Sequence, residues 1–221
     1  MEPVRLEGFD VTHAPPSQLK KAMKWRWAKA LQDSGLIRLK NVLEYRKPSS
    51  SKPWQTDPFE DMQIEDNDGV VCTAESMTPP FVWCASCLDA DSDRLMEIDH
   101  DYDTIVTILN PPVFFQRIRD EVWSSAPWGR FQVGNVRYDK GGPATAYFWG
   151  KCTFQKHAKY SYQREYRLAF HESPGLKRGK PIRPVYKDVP HVDLKVGCCL
   201  DVVKMERRNR TRRRTVRLRR P

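Results

Sequence analysis

The chain has 221 residues, 39% of them hydrophobic and 11% aromatic, which is enough for one sizeable core or two small ones. A mean hydropathy of -0.69 and 17 prolines imply long polar loops, and no apolar run approaches the length of a membrane span. The N-terminus, MEPVRLEGFD, lacks the basic-then-apolar order of a secretory signal.

The formal charge of +10 is unevenly placed. Lys204 to Pro221 holds ten Lys or Arg against Glu206 alone, so the rest of the chain is nearly neutral. Between Pro53 and Gln116 there are 14 acidic residues, and Arg94 is the one base. The high pI therefore describes a tail and not a basic domain. The six cysteines form no small-scaffold framework, and several sit in apolar strand-like runs. A reducing compartment is expected, cytoplasmic or otherwise associated with nucleic acid inside the cell.

Taken in chain order, residues 1–14 read as an irregular lead-in. A helix is expected from Pro15, because Leu19, Met23, Trp27 and Leu31 recur every four residues, with Ser17 as N-cap and Gly35 as stop. Lys20, Lys21, Lys24, Arg26 and Lys29 then form a solvated basic face over a packed apolar one. LIRLKNVLEYR (36–46) reads as a strand and turn, and SSSKP (49–53) as a loop. Strand-like runs follow at 69–74, 81–86 and 104–109. Asn110 before Pro111 and Pro112 is a helix start, with Phe114, Phe115, Ile118 and Val122 as its buried face. Further strands are expected at 130–138, 147–154, 163–170 and 192–203.

That order predicts an α+β fold with a mainly antiparallel sheet, an N-terminal helix and one internal helix. The domain occupies 15–203. The Arg-rich end, 204–221, has too few apolar residues to fold and reads as a disordered arm.

Several familiar chemistries fail on spacing. DADSDRLMEIDHDYD (89–103) resembles a calcium loop, but Arg94 stands where glycine is needed and His100 where a bidentate acid is needed. CASC (84–87) has zinc-knuckle spacing without a matching second pair, and Cys198 and Cys199 point to opposite faces of a strand. No glycine-rich phosphate loop, GxSxG or HExxH occurs. No metal site is expected.

Polar residues on expected strands remain: Arg38, Arg46, Ser86, Gln163, Glu165 and Arg167. In YSYQREYRLAF (160–170), alternation places Gln163, Glu165 and Arg167 on one strand face. The bland alternative is a sheet ion pair of Glu165 with Arg167, Arg38 or Lys156.

GLIRLKNVLEYR, TDPFED (56–61), VWCASC and FQKHAKYSYQREYRLAF together resemble a family of uncharacterised bacterial and phage proteins. Its members carry a DPFE-like element, a Cys/Ser-rich middle strand and a late QxEyR strand. The order Arg38 or Arg46, Ser86, then Gln163 and Glu165 also resembles, at greater distance, the mono-ADP-ribosyltransferases. That resemblance implies NAD as cofactor, with Arg38 or Arg46 gripping its pyrophosphate and Ser86 ordering the site. Glu165 would face the nicotinamide ribose, Gln163 would recognise the acceptor, and Tyr160 or Tyr162 would stack on nicotinamide. Ser86 lies in CAS where that family has STS, which departs from the pattern.

The tail motivates a nucleic-acid partner or acceptor, bound through Arg207, Arg208, Arg210, Arg212, Arg213, Arg214, Arg217, Arg219 and Arg220. A non-enzymatic nucleic-acid-binding or assembly protein is the rival expectation. A metal nuclease using Asp57, Glu60 and Glu165 is a third, with no spacing to support it.

Overall fold

The computed structural model describes residues 6–45, 64–65, 71–72, 80–126, 129–139, 152–172, 176–177, 180–181 and 189–207. β1 (Phe9–Val11) and β2 (Leu19–Met23) precede α1 (Trp25–Ser34) and β3 (Leu36–Asn41), which ends in a 3-10 turn over Val42–Tyr45. The short strands β4 (Ile64–Glu65) and β5 (Val71–Cys72) pair with each other. Next come β6 (Phe81–Cys87), α2 (Ser92–Glu97), β7 (Thr104–Ile108), α3 (Pro111–Ser125), β8 (Arg130–Asn135) and β9 (Arg137–Asp139). The 3-10 turns Cys152–Phe154 and Ala158–Gln163 flank β10 (Gln155–His157), which lies parallel to β9. The chain continues through β11 (Glu165–His171), β12 (Leu176–Lys177), β13 (Lys180–Pro181), β14 (His191–Lys195) and β15 (Val203–Arg207).

The fold is α+β, built on a nine-stranded, mostly antiparallel sheet in the order β1-β8-β11-β6-β2-β7-β15, with β3 also on β6 and β14 on β3. Only the β1–β8 pair in this sheet is parallel. β6 and β11 pair over six residues, from Glu165 opposite Ser86 to Phe170 opposite Phe81. Alternation along these two strands splits their side chains cleanly. Trp83, Ala85, Tyr166, Leu168 and Phe170 face the main core, where α3 supplies Phe114, Phe115, Ile118 and Val122. Phe115 stacks on Tyr166 with ring centroids 5.9 Å apart. The other face holds Val82, Cys84, Ser86, Glu165, Arg167 and Ala169. Phe154, from the segment before β10, packs on it there.

Local chemistry explains the helices. Asn110 caps α3 by accepting from the Val113 N–H at 3.3 Å, and prolines occupy its first turn. α1 ends at Gly35, whose φ of 65° suits glycine and whose N–H reaches back to Ala30 and Leu31. A Cβ at Gly35 would also lie 2.0 Å from the Gly197 carbonyl oxygen, so close backbone contact adds to the requirement.

Several sequence expectations are corrected. The helix does not begin at Pro15: Leu19–Met23 is β2, registered with β7 along its whole length. Ladder bonds there outweigh the four-residue spacing, and Asp103 accepts the Trp25 N–H at 2.6 Å, starting α1 ten residues later. The lead-in is not wholly irregular, because β1 joins the sheet beside β8. The run 192–203 is two strands, β14 and β15, separated by a loop that turns at Gly197. β15 continues to Arg207, opposite Thr104, so Lys204–Arg207 belong to the sheet and not to the arm. α2 occupies part of the acidic loop, capped by Asp91. Of the expected strand 147–154, Cys152–Phe154 is a 3-10 turn instead, while residues 147–151, and the arm from 208 onward, lie outside the described residues.

Candidate functional site

The middle of the sheet is forked. One edge of β6 is fully paired by β11. The opposite edge is shared: β3 takes Phe81 and Val82, and β2 takes Ser86 and Cys87. Neither strand has a residue in register with Trp83, Cys84 or Ala85. The Cys87 N–H bonds to the Arg164 carbonyl on the β11 side at 2.9 Å, so by alternation the backbone polar groups of Cys84 point into the fork. There the Lys21 ammonium donates to the Cys84 carbonyl, replacing a ladder bond with a side-chain one. Lys21 also lies over the Trp83 ring, 5.2 Å from its centroid.

A cavity of about 250 Å³ occupies the fork. Three cationic side chains line it, Lys21, Lys24 and Arg38, together with three aromatic ones, Trp27, Trp83 and Tyr102. Asp99 and Asp193 line it as well. Arg38 grips Asp193 as a fork, Nε to Oδ1 at 2.7 Å and Nη2 to Oδ2 at 2.8 Å, and its guanidinium lies 5.6 Å from the Trp27 ring centroid. Lys24 pairs with Asp101. Burial lowers the Lys21 pKa and the repulsion of Lys156 adds to this, while attraction to Glu165 opposes it.

Behind β6 lies a buried charge cluster centred on Glu165. Lys156 Nζ donates to Glu165 Oε1 at 2.7 Å and to Gln163 Oε1 at 3.0 Å. Arg167 Nε donates to Glu165 Oε2 at 2.9 Å, and Arg167 Nη1 donates to the Thr153 carbonyl. The Tyr138 hydroxyl accepts the Glu165 backbone N–H at 2.8 Å. Burial alone would raise the Glu165 pKa, but Lys156 and Arg167 outweigh it and hold the carboxyl at about 2. Glu165 is thus a fixed anion, unsuited to proton transfer near neutrality. Burial pushes the nearby Cys84 thiol up, so it stays protonated.

The residues singled out in the sequence are placed as follows. By register, Arg38, Ser86, Glu165 and Arg167 belong to one face of the sheet, and Ser86 stands directly opposite Glu165. Arg38 lines the cavity, whereas Ser86, Gln163 and Glu165 are not among its lining residues. Gln163 is not on β11: Arg164 has a φ of 42°, which ends the 3-10 turn Ala158–Gln163 and starts the strand at Glu165. The two side chains still converge, through Lys156 and not through alternation. The Tyr162 hydroxyl accepts from Gln163 Nε2 at 3.3 Å, and its ring is covered by the Arg94 guanidinium at 4.6 Å, away from the cavity. Arg207 lies at the end of β15 over the Trp25 ring, 5.3 Å from its centroid. Arg46, Arg208, Arg210, Arg212, Arg213, Arg214, Arg217, Arg219 and Arg220 lie outside the described residues, as do Asp57 and Glu60.

Lys21, Trp27 and Trp83 carry the cavity, yet none stands out in the sequence as a site residue. Lys21 reads as one more lysine on a basic face. Its role depends on where two strands part, and no local pattern records that. Asp99, His100 and Asp101 bring three potential ligand atoms within 4.8 Å of one another, the nearest approach to a metal set among the described residues. The Asp99 carboxylate already accepts the Asp101 N–H at 3.0 Å.

Comparison with protein-family models, curated proteins and solved structures returned no match to this chain. The class that fold and site define is an α+β protein with a forked antiparallel sheet and a cationic, aromatic cavity in the fork.

Proposed function

We propose that this chain binds a nucleotide in the sheet fork, and that NAD is that nucleotide. The observation that carries this reading is the convergence of Lys21, Lys24 and Arg38 with Trp27, Trp83 and Tyr102 around one cavity. Aromatic walls favour a heteroaromatic ring, and flanking cations favour the phosphates attached to it. A volume of about 250 Å³ suits a single ring, leaving the rest of a dinucleotide along the mouth.

The fuller form of the reading is ADP-ribose transfer. In that reaction the C–N bond to nicotinamide breaks as an acceptor nucleophile adds at the same ribose carbon. An ionised carboxylate stabilises the positive charge that develops there. Glu165 has the required charge and shares a sheet face with Arg38 and Ser86, which supports the assignment, but it does not line the cavity and would have to be brought to it. Both of its oxygens are held by Lys156 and Arg167, so one of those bonds must open for it to meet the ribose. The acceptor we assign is nucleic acid, on the strength of the basic C-terminal arm.

Incubation with NAD labelled in the adenylate half tests the transfer. Label should pass to single-stranded DNA or RNA with the wild-type protein, and not with Glu165→Gln shown to be folded by circular dichroism. Equal labelling by both proteins removes Glu165 from the reaction.

A further inference from the structure

Two of the three cations that line the fork are already matched by acids. Lys24 pairs with Asp101, and Asp193 holds Arg38 through two parallel hydrogen bonds. Lys21 makes no ion pair among the described residues. One of its N–H groups goes to the Cys84 carbonyl, which leaves two ammonium donors for a ligand. The unmatched positive charge at the cavity is therefore small.

Asp193 stands directly opposite Arg38 in the β14–β3 register, so strand pairing fixes the carboxylate beside the guanidinium. The Arg38 hydrogen bonds hold the Asp193 carboxyl below the ordinary carboxylate range, so it stays an anion. The side chains of Arg38 and Asp193 are 47% and 42% exposed, and water competes for both, so a ligand phosphate can exchange for the carboxylate. The Trp27 ring, 5.6 Å from the guanidinium, keeps Arg38 at the mouth when that exchange happens.

We infer that Asp193 sets the charge selectivity of the fork, competing with a ligand phosphate for Arg38 and favouring nucleotides of low charge over polyphosphates. The inference rests on the nucleotide reading proposed above and names which nucleotides that site takes. A phosphate that reaches Arg38 displaces a carboxylate that cannot leave, because β14 anchors it. The released Asp193 then faces the ligand as a nearby anion, with the His191 ring 3.8 Å away as its remaining neighbour. A singly charged phosphate diester meets that repulsion once, and every further phosphate charge adds to it. The paired phosphates of NAD, each a diester, suit such a site. The triphosphate of ATP does not.

Isothermal titration with adenosine, AMP, ADP and ATP in magnesium-free buffer tests this, since base and ribose stay constant while the charge rises. The wild type should bind AMP about tenfold more tightly than ATP. Asp193→Asn should bind ATP about tenfold more tightly than the wild type does, and adenosine with unchanged affinity. Asp193→Ser should behave alike, with circular dichroism and a thermal melt showing that each variant is folded. Adding Arg38→Gln to Asp193→Asn should cancel the gain, which a general loosening of the site would not do. AMP binding with the same charge series in wild type and both Asp193 variants overturns the inference and leaves the nucleotide reading standing. No saturable binding of AMP or NAD to any of these proteins removes both.

Discussion

The Lys21 ammonium donates to the backbone carbonyl of Cys84 at the one stretch of β6 where neither β2 nor β3 supplies a partner. That bond satisfies a buried acceptor that the fork would otherwise strand, and it holds a cation at the cavity wall. Replacing Lys21 by Met keeps the stem and removes the donor. Urea unfolding should show a loss of roughly 1–3 kcal/mol, the usual cost of an unmet buried acceptor. Unchanged stability would mean that water replaces the ammonium without penalty.

Glu165 is the anion among Lys21, Lys156 and Arg167, so removing it exposes their mutual repulsion in a buried site. Glu165→Gln should cost roughly 3–5 kcal/mol, and pairing it with Lys156→Met should recover part of that loss. A double mutant as unstable as the sum of the two single mutants would show that Lys156 and Glu165 are not coupled.

Among the described residues, His171 and Glu165 are two buried groups that contribute to acid sensitivity. Burial, reinforced by Arg130, lowers His171 to about 4 from its usual 6.5, and its buried Nε2 has no partner among the described residues. Below 6.5 the unfolded chain takes up a proton that the folded one refuses, so stability falls as pH drops toward 4. Glu165, held at about 2 against an ordinary 4.5, adds stability that is present above 4.5 and lost as pH falls through 2. Urea midpoints measured from pH 7 downward should therefore decline in two stages. His171→Phe should flatten the first stage only, and an identical pH profile in that variant contradicts the assignment.

Gly35 is fixed by both its φ of 65° and its contact with Gly197. Gly35→Ala should lower stability by more than ~1 kcal/mol, since relief of the clash has to move the loop that leads from β14 to β15. A thermal melt matching wild type would show that this loop yields freely.

Much of this architecture is legible in the sequence where a signal is local. The Asn-Pro-Pro start and apolar face of α3, the Gly35 stop and the β6, β7 and β11 cores all follow from spacing and residue type. The start of α1 is not legible, because its first N–H is taken by Asp103, far away in the chain. The break at Arg164 is hidden for a different reason: a positive φ on arginine leaves no compositional trace. The Glu165 ion pairs are readable as a possibility from Arg167 and Lys156. The cavity is not, because it arises from two strands dividing one edge of a third.

Isothermal titration of NAD and AMP into the wild type and Lys21→Met tests the central claim most directly. The wild type should bind saturably, and Lys21→Met should lose about tenfold or more in affinity, the effect of removing one charge-assisted donor. No saturable heat with either nucleotide, or the same isotherm from both proteins, contradicts it.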